Sequence, residues 1–486
     1  MKIAFVDGPW PHFGHRTQRW PHKNPGGNIN PPPIFQMYAA SVARNMGFEV
    51  ALWDAPVLNM GFEELMDEIV RFAPQMIVQN TSTASFDHDI RLAQMLKQRG
   101  DWLLVMVGPH VTPLAHEVMG QVPQVDIISL GEYDETIADI MSNLDDLTRV
   151  RGIVFRSEGD VIETEPRELL RDLDGLPYPA WDLVEIHRYW ESMFPKSKRP
   201  VATVMTSRGC NYRCSFCLYP QVLFRQRLRL RDLNCVVDEM EWLKREFGAK
   251  FFYFEDDNLT ASWKRVEEFC QLLLERGLNI GWGCLSRTDK VTEERVRLMR
   301  ESGCFLIKYG VESGVQTTLD ALDKRKTLDE IVHAFAVTKK VGIMTHATVM
   351  IGAPHETKET IRTTRRFVKK LGPDSVQFSI CTPLPGTTFW DECVAKGWLS
   401  YDRWEDFDGV SGGVLNYPGL SKGEIREAIQ NAYLDYYSSL PHIKQRIKRM
   451  IRGPERGSQF LRNFWLLRRL CMVLHSKMRR KFSYGH

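Results

Sequence analysis

VMTSRGCNYRCSFCLYP, residues 204–220, sets Cys210, Cys214 and Cys217 in one short loop, directly after an apolar run (Val201 to Met205) that reads as a β-strand. Three thiols this close cannot all bond to one another, so the spacing argues against disulfides. Soft sulfur ligands at such intervals select zinc or an iron–sulfur cluster. A structural zinc site needs a fourth ligand, and no fourth Cys or His lies nearby. Three sulfurs suit a four-iron cluster whose fourth iron stays open to another molecule. The blander readings are a zinc knob and three incidental cysteines.

Downstream of the loop, strand-like and helix-like runs alternate to about Thr388. Strands are expected at Val201–Met205, Phe251–Phe254, Ile280–Leu285, Phe305–Tyr309, Thr345–Ile351 and Ser375–Cys381. Leu233, Val236, Val237, Met240, Leu243 and Phe247 follow helical spacing, with Asp232 able to cap the start and Gly248 to end the helix. The pattern C-x3-C-x2-C, with Phe216 just before the last Cys, resembles the radical S-adenosylmethionine (SAM) enzymes. In that family the open iron is chelated by SAM, and one electron from the cluster cleaves SAM to a 5'-deoxyadenosyl radical. Six strand–helix units fit that family's partial (β/α)6 barrel, which presents its chemistry at the carboxyl ends of the strands.

The resemblance assigns SAM contacts strand by strand. Phe216 belongs to the cysteine loop. Glu255 or Asp256 follows the second strand, where family members carry a polar loop, often Gly-Gly-Glu-Pro, near the SAM amino group; acids stand here in place of the glycines. Ser286 and Arg287 match a Ser-Arg pair after the third strand, where a guanidinium can grip the methionine carboxylate bidentately. Gly310, Glu312 and Ser313 match a G-x-E-S segment near the ribose or amino group, and Gly352 lies in the turn near the adenine. Taken singly, each acid reads more readily as a solvated loop carboxylate than as a SAM contact; their recurrence at successive strand ends shifts the balance toward the assignment. No residue is singled out as catalytic. The other cysteines read as buried free thiols, and no second C-x2-C spacing points to an auxiliary cluster.

Residues 1–145 show the same alternation, with strands expected at Lys2–Val6, Glu49–Trp53, Met76–Gln79, Leu103–Val107 and Asp126–Leu130, and helices at Phe62–Phe72, Asp87–Gln98 and Glu132–Leu144. This rhythm implies a parallel, doubly wound sheet that binds ligands at its strand ends. The loops there carry Thr81, Ser82 and Thr83, then Gly108, Pro109, His110 and Val111, then Gly131 and Glu132. Small and hydroxyl residues permit close backbone approach and offer hydrogen bonds. This half resembles the cobalamin-binding domain that precedes the barrel in many radical SAM enzymes, and the resemblance implies cobalamin at these loops. The signature D-x-H-x-x-G is absent, because Asp7 is followed by Trp10 and His12 at other spacings; no protein histidine is therefore expected on the cobalt. The alternative is a flavodoxin-like domain that only packs. Residues Pro9 to Pro33 read as a long loop able to cover a cofactor or to cap the sheet.

Residues 146–195 read as a linker carrying a hairpin, Val150–Phe155 with Val161–Glu165, and a proline-bearing connector. The barrel is expected at 196–395 and a helical C-terminal region at 396–486. Within that last region, Ser400–Val414 is aromatic and acidic, and Lys422–Tyr437 reads as a helix.

Apolar and charged fractions of 43% and 26% are those of a globular protein. The start MKIAFVDGPW reads as a buried strand rather than a signal peptide, and no window approaches the ~20 apolar residues of a spanning helix. A reducing cytoplasm is expected, which also suits an iron–sulfur cluster. From Pro441 to His486 there are thirteen Lys or Arg against one acid, Glu455, so a tail of +12 follows a body of −9. Phe460, Phe464, Leu467, Cys471, Leu474 and Met478 keep one helical stripe in that tail. A basic amphipathic helix reads as lying on an anionic membrane surface at the inner face, against the alternative of a helix packed back on the protein. Nucleic acid is not expected, since no RNA-binding module accompanies the charge.

The windows SRGCNYRCSFCLYPQ, VGPHVT and GVESG resemble cobalamin-binding radical SAM proteins of hopanoid biosynthesis, and more distantly the anaerobic cyclase that forms the fifth ring of bacteriochlorophyll. The cofactors implied are a 4Fe–4S cluster, SAM and cobalamin, with flavodoxin or ferredoxin as electron donor. The expected reaction is methylation, ring formation or rearrangement at an unactivated carbon of a lipid or lipid-linked substrate. A soluble secondary metabolite or a tetrapyrrole is the alternative substrate. A non-catalytic cofactor-binding protein on a membrane surface is the reading from another class.

Overall fold

The structure is a computed structural model that describes residues 1–10, 14–15, 22–23, 31–191, 193, 199–410 and 412–452. Most of the loop from Pro9 to Pro33, and the apolar stripe from Phe460 to Met478, lie outside the described residues.

Two parallel sheets follow one another along the chain. The first contains β1 (Lys2–Asp7), β2 (Glu49–Asp54), β3 (Met76–Asn80), β4 (Leu103–Val107), β5 (Ile127–Ser129), β6 (Ile153–Ser157) and β7 (Asp160–Glu163), in the order β2-β1-β3-β4-β5-β6-β7. Strands β1 to β5 are parallel and nearly all apolar, because helices cover both faces. The hairpin β6–β7 is not a free linker element. It adds to β5 antiparallel, pairing Ile127 with Phe155, so the sheet is mixed and runs to Glu163. The pattern of a hairpin is visible in one sequence, but the strand it docks on is not.

Helix α1 (Ile34–Asn45) had no periodic signature because it is buried on nearly every side, including Gln36 and Ser41. Beyond it, α2 (Phe62–Phe72) matches its expected bounds, α3 (Phe86–Arg99) is slightly longer than expected, and α4 (Ala115–Gln121) leads into β5. The last helix of this half, α5 (Thr136–Ser142), starts four residues after the expected Glu132, which leaves residues 132–135 as a loop at the end of β5.

The second sheet has six strands in sequence order, all parallel: β8 (Val201–Val204), β9 (Phe251–Phe254), β10 (Gly281–Ser286), β11 (Cys304–Glu312), β12 (Met344–Ile351) and β13 (Ser375–Ile380). This is an open arc, the partial barrel expected from the alternation. Helix α6 (Leu233–Phe247) is held as the sequence implies: the Asp232 side chain accepts from Asn234 N, and Gly248 takes φ +64°. Around the outside run α7 (Trp263–Glu275), α8 (Glu293–Glu301), α9 (Leu328–Val341), α10 (Lys358–Leu371) and α11 (Thr388–Ala395). The edge strand β13 is closed by α12 (Lys422–Tyr437). The hydroxyls of Tyr433 and Tyr437 bond the backbone of Phe378 and Val376 at 2.9–3.2 Å, occupying groups another strand would otherwise seek. A final helix, α13 (Leu440–Arg452), follows.

The two sheets share one apolar core. Phe35 of α1 meets Tyr219 and Phe224, just past the cysteine loop, with ring centroids 6.0 and 6.1 Å apart.

Candidate functional site

The cysteine loop leaves the carboxyl end of β8 and is wired in place before its first thiol. Asp256, after β9, is buried, and its Oδ1 accepts from Thr206 N at 2.9 Å, from Ser207 Oγ at 2.8 Å and from Ser207 N. Gly209 N donates to Asp257 Oδ2 at 3.0 Å. Gly209 has φ +85°, and a Cβ there would lie 2.0 Å from the Arg227 carbonyl oxygen, so only glycine fits. Further on, the Gln221 amide donates to the carbonyls of Cys214, Ser215 and Cys217 at 3.2, 3.1 and 2.9 Å. Gln221 was not singled out from the sequence, because a lone Gln has no motif; its role appears only in three dimensions.

All three thiols are free, and Cys210 and Cys214 are buried. Burial pushes the Cys210 thiol up to about 11 and the Cys217 thiol well above its ordinary value, the latter with help from Asp257. Lys324 faces the same loop, its Nζ 5.4 Å from the Phe216 ring centroid, and it opposes the rise at Cys217. Three soft donors on a fixed loop, two of them buried and the third partly so, beside a cation and short of a fourth ligand, fit an iron–sulfur cluster whose positive charge would ionise them. Among the described residues, no three His, Cys, Asp or Glu side chains converge closely enough to hold a single ion.

The other strand ends surround this loop with polar groups already bonded to one another. Ser286 Oγ bonds Thr260 Oγ1 at 2.8 Å and the Arg287 carbonyl at 2.7 Å. The Arg287 guanidinium lies 3.6 Å from the Tyr212 ring centroid, and its Nε bonds Asp289 at 2.7 Å. Its Nη2 bonds the carbonyls of Lys324 and Arg325 at 2.7 and 3.1 Å. A bidentate grip on a carboxylate would require some of these bonds to be exchanged. At the end of β11 the ladder bulges between Gly310 and Glu312, and Glu312 takes φ +62°. Glu312 Oε1 accepts from Lys324 Nζ at 2.6 Å, while Lys326 Nζ donates to the Gly310 carbonyl. Ser313 is fully buried, with its hydroxyl on Thr364 at 3.1 Å. Glu255 is half-buried, and its backbone N–H donates to Val204 O at 3.0 Å. Asp256 is committed to holding the loop, and Glu255 and Asp257 are the other acids at this strand end.

Gly352, at φ +89°, donates its N–H to Glu356 Oε2 at 2.7 Å, as does Ala353 at 3.2 Å. Burial lifts the Glu356 carboxyl from 4.5 to about 7, against the pull of those two bonds. Glu356 therefore keeps its proton in the folded chain where the unfolded chain has lost it. That contribution to stability is complete below the ordinary carboxylate range and is lost as pH rises through about 7. Wild type should lose roughly 3 kcal/mol relative to Glu356→Gln across this window. Parallel urea titrations of both proteins at about pH 5 and about pH 8 would read it, and a difference that stays constant with pH would overturn it.

At the first sheet the expected loops are laced to each other. Thr81 bonds the Val107 carbonyl through both N and Oγ1 at 2.8 Å, and Ser82 pairs with Ser85 through hydroxyls at 2.8 Å. Gly108 sits at φ +117° with its absent Cβ only 2.4 Å from Thr81 O, so the backbone approach here requires glycine. Pro109 and Val111 are buried beside it. Gly131 N donates to Thr112 Oγ1 at 3.2 Å, tying the β5 loop to the β4 loop.

His110 is completely buried, with Nδ1 3.3 Å from Thr83 Oγ1 and the ring 4.1 Å from Phe86 and 4.6 Å from Trp404 between centroids. Burial holds its pKa down near 3, so the imidazole is neutral, and its Nε2 has no hydrogen-bond partner. An orphaned buried nitrogen at the strand ends, on loops fixed by the close approach of Gly108 to Thr81, fits a polar cofactor in this position. Trp404 comes from the far end of the chain. The short turn Trp404–Phe407 reaches back over α3, where His88 meets Glu405 at 2.5 Å and Glu405 N donates to Asp87 at 3.1 Å. The aromatic stretch was visible in the sequence, but not its seat.

The two sites meet at Arg208, two residues before Cys210. Its guanidinium bonds both oxygens of Asp134 at 2.7 and 2.8 Å and Glu132 at 3.2 Å, from the loop after β5. Glu132, expected as a cobalamin contact, also binds Arg229 at 2.7 and 2.8 Å.

A family model described as the radical SAM superfamily matches residues 204–368, and one described as the B12 binding domain matches residues 28–141. An uncharacterized methyltransferase of Pyrococcus horikoshii is 29% identical over 434 residues, 87% of this chain and 93% of the relative. The anaerobic magnesium-protoporphyrin IX monomethyl ester cyclase of Rubrivivax gelatinosus is 27% identical, over 84% of this chain and 74% of the cyclase. Among solved structures, the radical S-adenosylmethionine methyltransferase TsrM of Kitasatospora setae matches with a TM-score of 0.64 at 16% identity. That match covers 81% of this chain and 74% of TsrM.

Proposed function

Since the chain belongs to the cobalamin-binding radical SAM enzymes, whose cofactors are a 4Fe–4S cluster, SAM and cobalamin, we propose that it methylates an unactivated carbon of a soluble metabolite or a tetrapyrrole. When bound, the cluster supplies the electron that cleaves SAM, and cobalamin supplies a methyl carrier. The observation that carries the reading is the contact of Arg208 with Asp134 and Glu132, which holds the three-thiol loop against the strand-end loop of the B12 binding domain.

Cys210, Cys214 and Cys217 hold the cluster, on a loop fixed by Gln221 and Asp256. Lys324 and Arg287 supply positive charge beside it, suited to a methionine carboxylate, and Glu312 and Glu255 supply acceptors for the SAM amino group or ribose. Gly108, His110 and the Thr81–Thr83 turn shape the cobalamin face, and Trp404 keeps water from it. The methyltransferase and cyclase names of the relatives support a carbon-modifying reaction and leave methylation and ring closure as the two outcomes. Reconstituted protein given methyl-deuterated SAM, a reductant and a pool of cellular metabolites and tetrapyrroles separates them. Methylation should give one S-adenosylhomocysteine with each 5'-deoxyadenosine and move the label into product. Deoxyadenosine without S-adenosylhomocysteine would overturn the methylation reading in favour of ring closure.

A lipid substrate rests on the basic C-terminal helix, and one observation favours a surface contact there. Helix α13 packs His442 against Tyr436 and Tyr437 at 5.0 Å between centroids. It also carries Lys444, Arg446, Lys448, Arg449 and Arg452 with no acid, and leaves Leu440 and Ile447 exposed. Among the described residues no helix is long and apolar enough to cross a membrane. Each basic side chain near an anionic surface contributes about 1 kcal/mol, weakened by salt. Deleting residues 457–486 and changing Lys444, Arg446, Lys448, Arg449 and Arg452 to Gln should together abolish co-sedimentation with anionic vesicles at low salt and leave SAM cleavage unchanged. Equal sedimentation of both proteins would remove the support for a membrane-bound substrate.

A further inference from the structure

Four charged side chains, two from each half of the chain, meet where the halves touch. Arg208 and Arg229 face each other across a two-residue antiparallel ladder. Glu132 and Asp134 stand on the loop after β5, two residues apart. The Arg208 side chain is 2% exposed, Asp134 5% and Glu132 8%. The set is electrically balanced: Asp134 takes both terminal Arg208 nitrogens, Glu132 bridges Arg208 and Arg229, and Arg229 also bonds the Leu170 carbonyl at 2.8 Å. Above the Arg208 guanidinium lie the rings of Phe35 and Tyr38 at 5.3 and 5.0 Å, so it has no room to swing away.

What this set connects is specific. On one side, Gly209 passes directly from Arg208 to Cys210 with no space for a side chain. On the other, Gly131 is bonded through Thr112 to the Gly108 turn, the proposed cobalamin cradle. A pair this buried is rigid, because moving either partner exposes an uncompensated charge to an apolar core. A shift of the cradle loop is therefore passed to the cysteine loop rather than absorbed.

We propose that Arg208 is a positioning residue that couples the two cofactor sites: cobalamin in the first domain tightens the cluster loop, and the assembled cluster tightens cobalamin binding. The coupling rests on the cofactor placement argued above. By linkage the two effects must be equal in size as binding free energies.

The experiment is a cycle on reconstituted full-length protein. Iron release to a ferrous chelator is timed with and without hydroxocobalamin, and hydroxocobalamin affinity is titrated with and without the cluster. Wild type should show the cluster raising cobalamin affinity roughly tenfold, and cobalamin slowing iron release, a rate whose factor is not fixed by linkage to equal the affinity factor. In Asp134→Asn and Arg208→Gln both ratios should fall close to one, while Arg208→Lys, which keeps charge but loses the fork, should retain part of them. A merely structural role would weaken both sites and leave the ratios as in wild type, and that result would overturn the proposal. If Asp134→Asn and Arg208→Gln do not fold, Arg208→Lys decides alone, an undiminished ratio being fatal. Failure of wild type to bind hydroxocobalamin would instead refute the cobalamin site itself, and the coupling with it.

Discussion

Cys214→Ala should yield a folded protein with no bound iron, no visible cluster absorption and no 5'-deoxyadenosine from SAM, and the same is expected for Cys210→Ala and Cys217→Ala. The loss should be complete, because a three-ligand cluster has no spare protein ligand and two thiolates cannot hold it. The fold should survive, since the loop is secured by other groups: Asp256 bonds its start and Gln221 its three carbonyls. Removing one buried sulfur costs on the order of 1–2 kcal/mol, small against the backbone wiring. Iron analysis and circular dichroism on the same samples make the check. About four irons per chain in the triple variant would sink the assignment.

The second large effect is on stability. Arg231→Met should destabilise the protein by about 3–5 kcal/mol near pH 8. Glu239 is completely buried, its carboxylate is held by Arg231, and its other oxygen has no hydrogen-bond partner. Arg231 also bonds Asp174 and the Met205 carbonyl at 3.0 and 3.1 Å, so it joins the connector, β8 and α6. Burial already raises the Glu239 carboxyl, and only Arg231 opposes it strongly. Without the arginine, Glu239 would fold only with its proton on. A folded-state pKa raised in this way gives stability that is present at low pH and lost as pH rises. The deficit of the variant should therefore shrink on going from about pH 8 to about pH 5.5. Adding Glu239→Leu should recover most of the loss at both values. A deficit independent of pH, unrelieved by the second change, would show that the arginine acts through packing alone.

Strand positions were legible because apolar runs of four to six residues between turns carry their own signal; Phe251–Phe254 and Leu103–Val107 lie where the sequence puts them. The cysteine loop was legible because its spacing is chemically unusual. What escaped notice depends on a partner distant in sequence. Arg208 and Asp134 look like ordinary loop charges until they meet across 74 positions. Glu356 looks like a solvated acid until its burial is known, and Glu132, expected to face cobalamin, is bonded to Arg208 and Arg229. The expected helix from Glu132 begins only at Thr136, because the intervening carboxylates turn toward two arginines. Periodicity cannot report that competition.

The turn at Trp404–Phe407 bears on the order in which the molecule is made. During synthesis the amino-terminal domain emerges first and can pair its strands alone. Phe86 and His110, however, pack against Trp404, which the ribosome adds some three hundred residues later. Until then that corner of the domain stays wet and open. The nascent chain thus passes through a long interval in which the first half can fold but is uncovered at this corner, and closure waits until Trp404 has been added. A cofactor bound at the proposed strand-end site would have an open approach before Trp404 is added and a seated tryptophan to pass afterwards.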